Sequence, residues 1–204
     1  MSESLAVHDG VDESKRTWVA ITCGAGAVAG LATAIPFVST FAPSERAKAA
    51  GAPVEVDISD LKPGEKKTVE WRGQPVWIIR RTPEMLATLA KDEGELADPD
   101  SKRNQDDLTP SYARNRNRSI KPEVFVAVGI CTHLGCSPSD RFAPGAQPSL
   151  PADWPGGFLC PCHGSTFDLA GRVFKNKPAP DNLRVPPHMY MADANKLLIG
   201  EDKA

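Results

Sequence analysis

Two hexapeptides hold four of the chain's five cysteines and two of its four histidines: Cys131-Thr132-His133-Leu134-Gly135-Cys136 and Cys160-Pro161-Cys162-His163-Gly164-Ser165. Cys131, His133, Cys160 and His163 together offer two thiolates and two imidazoles from two loops. That set suits a 2Fe-2S cluster in which one iron takes two cysteines and the other two histidines. It equally supplies the four ligands of a tetrahedral zinc, which would leave Cys136 and Cys162 without a task. A pair of structural disulfides would use all four cysteines and leave both histidines unexplained. On residue types alone the three chemistries stay open.

Loops that meet in this way need a frame. Nineteen prolines and sixteen glycines, concentrated after position 130, point to a head shaped by turns, with helix in the minority. Short alternating apolar runs at 54–58, 68–71 and 76–79, with Arg72-Gly73-Gln74 as a turn, predict strands of an antiparallel sheet. Further strands are expected at 124–128, 158–159, 183–185 and 196–199, the last after an Asp193-Ala194-Asn195 turn. Thr82-Pro83-Glu84 is a helix-start signature, with Leu86, Leu89 and Ala90 as the apolar stripe of one short helix ending by Gly94. Residues 95–121 are polar and predict an irregular excursion, in which Arg114, Arg116 and Arg118 read as a solvated loop.

Before the head, residues 18–42 run for about 25 residues without a charge, where a membrane crossing needs about 20. A single transmembrane anchor is the natural reading. A cleaved secretory signal shares the basic start and small residues but has a shorter apolar region. Gly24, Gly26 and Gly30 make it a small-residue helix suited to packing on a neighbour, and Pro36 is expected to kink its far end. Lys15 and Arg16 before the span are balanced by Arg46 and Lys48 after it, so charge does not orient it. The expected order is a tail at 1–17, the anchor at 18–42, a flexible hinge at 43–53 and a head at 54–204, with the cluster-binding part at about 129–182. The formal net charge of -2 provides no basic face for nucleic acid.

The two boxes resemble, at every position, the C-T-H-L-G-C and C-P-C-H-G-S boxes of the Rieske iron-sulfur subunits of ubiquinol-oxidising cytochrome bc complexes, and the resemblance covers nearly the whole chain. It implies a mainly β head with an inserted cluster-binding subdomain, behind one N-terminal transmembrane helix. It implies one 2Fe-2S cluster per subunit, with Cys131 and Cys160 on the inner iron, His133 and His163 on the outer, and a Cys136–Cys162 disulfide. A disulfide in turn implies an oxidising compartment, hence a periplasmic head and a cytoplasmic N-terminus in the bacterial inner membrane. The resemblance further implies that electrons pass from ubiquinol to a c-type cytochrome. The partners would be cytochrome b and the c-type cytochrome in a dimeric complex. His163, assisted by His133, would serve proton transfer from quinol; Leu134 would shield the cluster, and Ser165 would donate a hydrogen bond to a bridging sulfide.

Four features depart from the pattern or extend it. Phe167 stands where relatives often carry a tyrosine that donates to a cysteine sulfur. Lys177 replaces the glycine that usually precedes the Pro178-Ala179-Pro180 loop, which covers the cluster from a third side. The segment 137–159 is long, and Arg141, Phe142 and Trp154 are expected near the docking face. Ser14-Lys15-Arg16-Thr17-Trp18-Val19 resembles a twin-arginine export signal with lysine in place of the first arginine. Two rival identities are the small Rieske subunit of an arsenite oxidase, separable by what co-purifies, and a membrane-tethered zinc module, separable by colour and EPR. Cys23, His8 and His188 lie outside the boxes and carry no assigned chemistry.

Overall fold

The computed structural model describes residues 12–91, 93–103 and 108–202. His8 and the first residues of the tail lie outside them. The chain divides into two compact units, one up to Lys48 and one from Ala49 onward.

The first unit is dominated by helix α1 (Glu13–Ser39), 27 residues long with no buried residue. At 1.5 Å per residue it is about 40 Å long, against an apolar membrane core of about 30 Å. It starts five residues before the uncharged run because Asp12 caps it, its carboxylate accepting from the Ser14 and Lys15 amides. Thr17, Thr22 and Thr33 donate to the carbonyls of Glu13, Trp18 and Ala29, so hydroxyl groups in this apolar stretch are satisfied within the helix. The helix runs through Pro36 and stops at Ser39, short of residue 42. Cys23 is exposed on this helix. Within the segment expected to be a hinge, Glu45–Ala50 forms a second short helix, α2. Its sequence explains the difference: Ser44 Oγ accepts the Ala47 amide, Glu45 pairs with Lys48, and the remaining residues are good helix formers.

The second unit is mainly β, with nine strands among the described residues, in three antiparallel sheets: β1 (Val54–Asp57), β9 (Lys196–Ile199) and β8 (His188–Tyr190); β2 (Lys66–Trp71), β3 (Gln74–Arg80) and β4 (Val124–Val128); β5 (Ser139–Arg141), β6 (Gly157–Leu159) and β7 (Thr166–Phe167). The β2–β3 hairpin turns on Arg72 and Gly73, both with positive φ, as a two-residue hairpin loop requires. Helix α3 (Pro83–Thr88) is capped by Thr82 and ends earlier than the apolar stripe suggested.

The middle sheet is covered on both faces, which explains why β4 is apolar at every position. Successive side chains of a strand point to opposite faces. Val76, Ile78, Val124, Val126 and Val128 therefore join the core shared with β1 and β9. Trp77, Ile79, Phe125 and Ala127 join a second core that contains Phe158, Phe167, Cys131 and Cys160. The Trp77 ring stacks on Phe158 at 5.1 Å, an arrangement that contributes about 1 kcal/mol beyond its buried area. Lys66 on β2 reaches across to Asp140 on β5 at 2.6 Å. The small sheet that carries the second box thus shares a core with the middle sheet, and an aromatic stack and an ion pair add to that packing.

The expected strand at 183–185 does not form. Its amides and carbonyls go to four partners: Leu183 N–H donates to Gly171, Val185 N–H to Leu108, and the Arg184 and Leu183 carbonyls accept from the Val128 amide and the Arg118 guanidinium. The segment is hydrogen-bonded but belongs to no ladder.

Candidate metal centre

Each box folds into the same closed turn. In the first, the Cys131 amide donates to the Cys136 carbonyl at 2.8 Å and the Gly135 amide to the Cys131 carbonyl at 3.1 Å. In the second, Cys160 donates to Ser165 at 2.7 Å and Gly164 to Cys160 at 3.0 Å. The fifth residue is glycine in both because the turn needs φ of +83° and +74° there. This repeated geometry presents a buried cysteine at the base of each loop and a histidine near its tip.

Cys131 and Cys160 are free thiols in the core, whereas His133 is half-buried and His163 exposed. The two imidazole rings meet edge to face with centroids 4.7 Å apart. The loops are joined by a disulfide between Cys136 and Cys162, whose Cα atoms lie 6.6 Å apart. Leu134, 71% exposed, projects from the tip beside His133 and is no core residue.

A third segment closes over both boxes. Thr132 Oγ1 donates to the Asp181 carbonyl at 2.6 Å, and the Ala179 amide donates to Ser165 Oγ at 2.9 Å. Sequence reasoning gave Thr132 no role, and its place inside a box was the only signal. Behind this proline-rich loop, Asn182 donates to the Asp98 carbonyl and to Ser101 Oγ.

The irregular excursion is what anchors that loop, and Arg118 is not solvated. Its side chain is completely buried and donates to Ala170, Gly171, Thr109 and Leu183, tying the turn after the second box to the proline-rich loop. Burial pulls its guanidinium down to about 10, offset in part by the Asp168 carboxylate. Five donors on a planar fork let one arginine reach three segments, a use that a charge pattern does not reveal. Arg116 pairs with Glu93.

Of the aromatic residues of the long 137–159 segment, Trp154 and Phe158 are buried and Phe142 is half-buried. Trp154 is buried, donates to the Arg141 carbonyl at 2.8 Å and packs on Phe174; Phe142 packs edge-on against Phe158.

The donor set fits a two-iron cluster better than a single ion. Donors of one tetrahedral zinc lie about 3.5 Å from each other. Among the described residues, the only three candidate donor atoms within 4.8 Å of one another are the sulfurs of Cys136, Cys160 and Cys162. Two of those share a disulfide and cannot act as thiolates. Cys131, His133, Cys160 and His163 are therefore spread more widely than one ion needs. Burial pushes the Cys131 thiol up, and the adjacent Cys160 adds to the effect, while the His133 amide and the Ser165 hydroxyl oppose it. Two neighbouring buried thiols become stable as thiolates when a metal supplies positive charge.

Residues 103–187 match the Rieske 2Fe-2S domain family. The ubiquinol-cytochrome c reductase iron-sulfur subunit of Allochromatium vinosum is 55% identical over 93% of this chain and 89% of its own length. The chain belongs to that family of Rieske iron-sulfur subunits. The corresponding subunits of Blastochloris viridis and Bradyrhizobium diazoefficiens are 39% and 36% identical, over 96% and 92% of this chain and 98% and 94% of theirs. The prosthetic group of this Rieske subunit is a 2Fe-2S cluster, and its N-terminal apolar helix marks it as membrane-anchored.

Proposed function

We propose that this subunit takes electrons from ubiquinol and passes them to a c-type cytochrome, with Cys131 and Cys160 holding the inner iron and His133 and His163 the outer. The observation that carries this is the sorting of the donors: the thiols are in the core, and the imidazoles lie at the exposed end of the loops. When bound, the cluster supplies a one-electron acceptor whose potential is raised by replacing two thiolates with neutral imidazoles. His163, the more exposed imidazole, presents its second ring nitrogen to solvent or to a quinol hydroxyl and takes the proton there. Leu134, next to His133 in the first box, shields the cluster and offers an apolar contact to cytochrome b.

The disulfide supports a periplasmic head and a cytoplasmic N-terminus, since such a bond persists in oxidising compartments. Residues 1–17 would then be the cytoplasmic tail, 18–42 the anchor, 43–53 the hinge on which the head moves between partners, and 54–204 the head. Its partners are cytochrome b and a c-type cytochrome, in a dimeric complex.

The contact between His163 and quinone is tested by EPR of the reduced cluster in membranes. Extraction of the quinone pool is expected to change the line shape, and readdition of ubiquinone to restore it. An identical spectrum with and without quinone contradicts a direct contact.

Phe167 is fully buried in the same core as both cluster cysteines, yet it has no hydroxyl to donate. A new hydrogen bond of about 1 kcal/mol to a cysteine sulfur corresponds to roughly 40 mV for a one-electron couple. Phe167→Tyr is therefore expected to raise the midpoint by about that amount in protein-film voltammetry. An unchanged or lowered midpoint counts against the assignment.

A further inference from the structure

We propose that the backbone amide of Ala179 is a positioning group for the cluster, because by donating to Ser165 Oγ it directs the single hydroxyl proton of that serine toward the sulfur side of the pocket. The inference rests on Ser165 acting as a hydrogen-bond donor to cluster sulfur, and it adds the group that sets the direction of that donor.

Ser165 is completely buried, so no solvent competes for its hydroxyl. Its oxygen accepts the Ala179 amide at 2.9 Å, and Ala179 packs in the same buried core as Cys131 and Cys160. A serine hydroxyl has one proton and two lone pairs. With a lone pair turned to the amide, the proton cannot also point at the loop, and the sulfur side is where it goes. A hydroxyl that accepts one hydrogen bond is polarised into a better donor for the next.

The loop sequence makes this amide distinct. Ala179 lies between Pro178 and Pro180, neither of which has an N–H, so it is the one backbone donor of the three residues. It is also held still. Arg103 donates to the Pro180 carbonyl at 3.1 Å, Thr132 to Asp181 at 2.6 Å, and Arg118 to Leu183 at 2.7 Å. The Asn182 side chain accepts the Val173 amide at 2.9 Å. Hydrogen bonds to sulfur favour the more negative, reduced cluster, so this relay raises the potential.

A double-mutant cycle on the cluster-loaded full chain tests it, with the midpoint potential and the EPR g-values as readouts. Ser165→Ala is expected to lower the potential. Ala179→Pro, which removes the amide proton, is expected to lower it by a smaller amount in the presence of Ser165 and to have no effect in the Ser165→Ala background. Ala179→Gly, which keeps the amide, leaves the potential unchanged. If the proline variant fails to fold, an ester at residue 179, made by incorporating lactic acid, deletes the N–H without adding a ring and carries the same expectation. An equal shift in both backgrounds, or no shift when only the amide is removed, overturns the inference while leaving Ser165 as a donor. No shift on Ser165→Ala overturns the underlying reading as well.

Discussion

Serine at Cys131 or Cys160, or alanine at His163, is expected to abolish the cluster and with it all quinol-dependent reduction of cytochrome c, while the head stays folded. The two thiols are the buried ends of two loops that share no other metal-binding side chain at that depth. A serine hydroxyl at either position offers a harder, less acidic oxygen in an apolar site, where forming an anion is costly. Loss of a ligand that is itself held by its loop should exceed the roughly 10- to 100-fold penalty of removing a supporting contact. Folding is expected to survive because the middle sheet, with its two covered faces, contains none of the ligands. Visible absorption and EPR on the purified variants decide the matter, with Cys23→Ala as a control that leaves both unchanged. A Cys131→Ser protein that keeps its colour and signal would show that the cluster is held elsewhere.

The second large effect concerns the bond between the loops. Cys136 and Cys162 are 26 residues apart in sequence, and closing a loop of that length is worth about 3.5 kcal/mol by chain entropy. Here the restraint acts on the two loop tips that bear the ligands. The double substitution Cys136→Ser/Cys162→Ser is expected to let the cluster assemble, because Thr132–Asp181 and Ala179–Ser165 still tie both boxes to the proline-rich loop. Its lifetime should fall steeply, by up to roughly 300-fold if separation of the tips governs loss. Bleaching kinetics at fixed temperature measure this. An unchanged lifetime would mean that the proline-rich loop alone holds the boxes closed.

What could be read from the residues, and what could not, divides along a physical line. The boxes were legible because cysteine and histidine at fixed spacing carry ligand chemistry in their side chains, and the glycine at the fifth position carries the turn. The hairpin at Arg72-Gly73 and the cap at Thr82 were legible for the same local reason. Features decided by distant partners were not. Residues 183–185 have the composition of a strand, but their backbone bonds are shared among four segments that only the folded chain brings near. Arg118 looked like one charge in a solvated run and is instead enclosed by carbonyls from residues more than 50 positions away. Trp154 is drawn inward by Phe174 and by the Arg141 carbonyl, neither of which its neighbours in sequence announce. The two-residue strand β7 is too short to leave a periodicity, though it follows directly on the second box.

The claim beneath all of this is mixed ligation of two irons by two thiols and two imidazoles. Reduced-state EPR on membranes containing the intact chain, with metal analysis of the purified protein, tests it most directly. The predicted result is a reddish-brown protein with about two irons per chain and a signal whose average g lies below the free-electron value. A colourless, EPR-silent protein that holds a single zinc would contradict it.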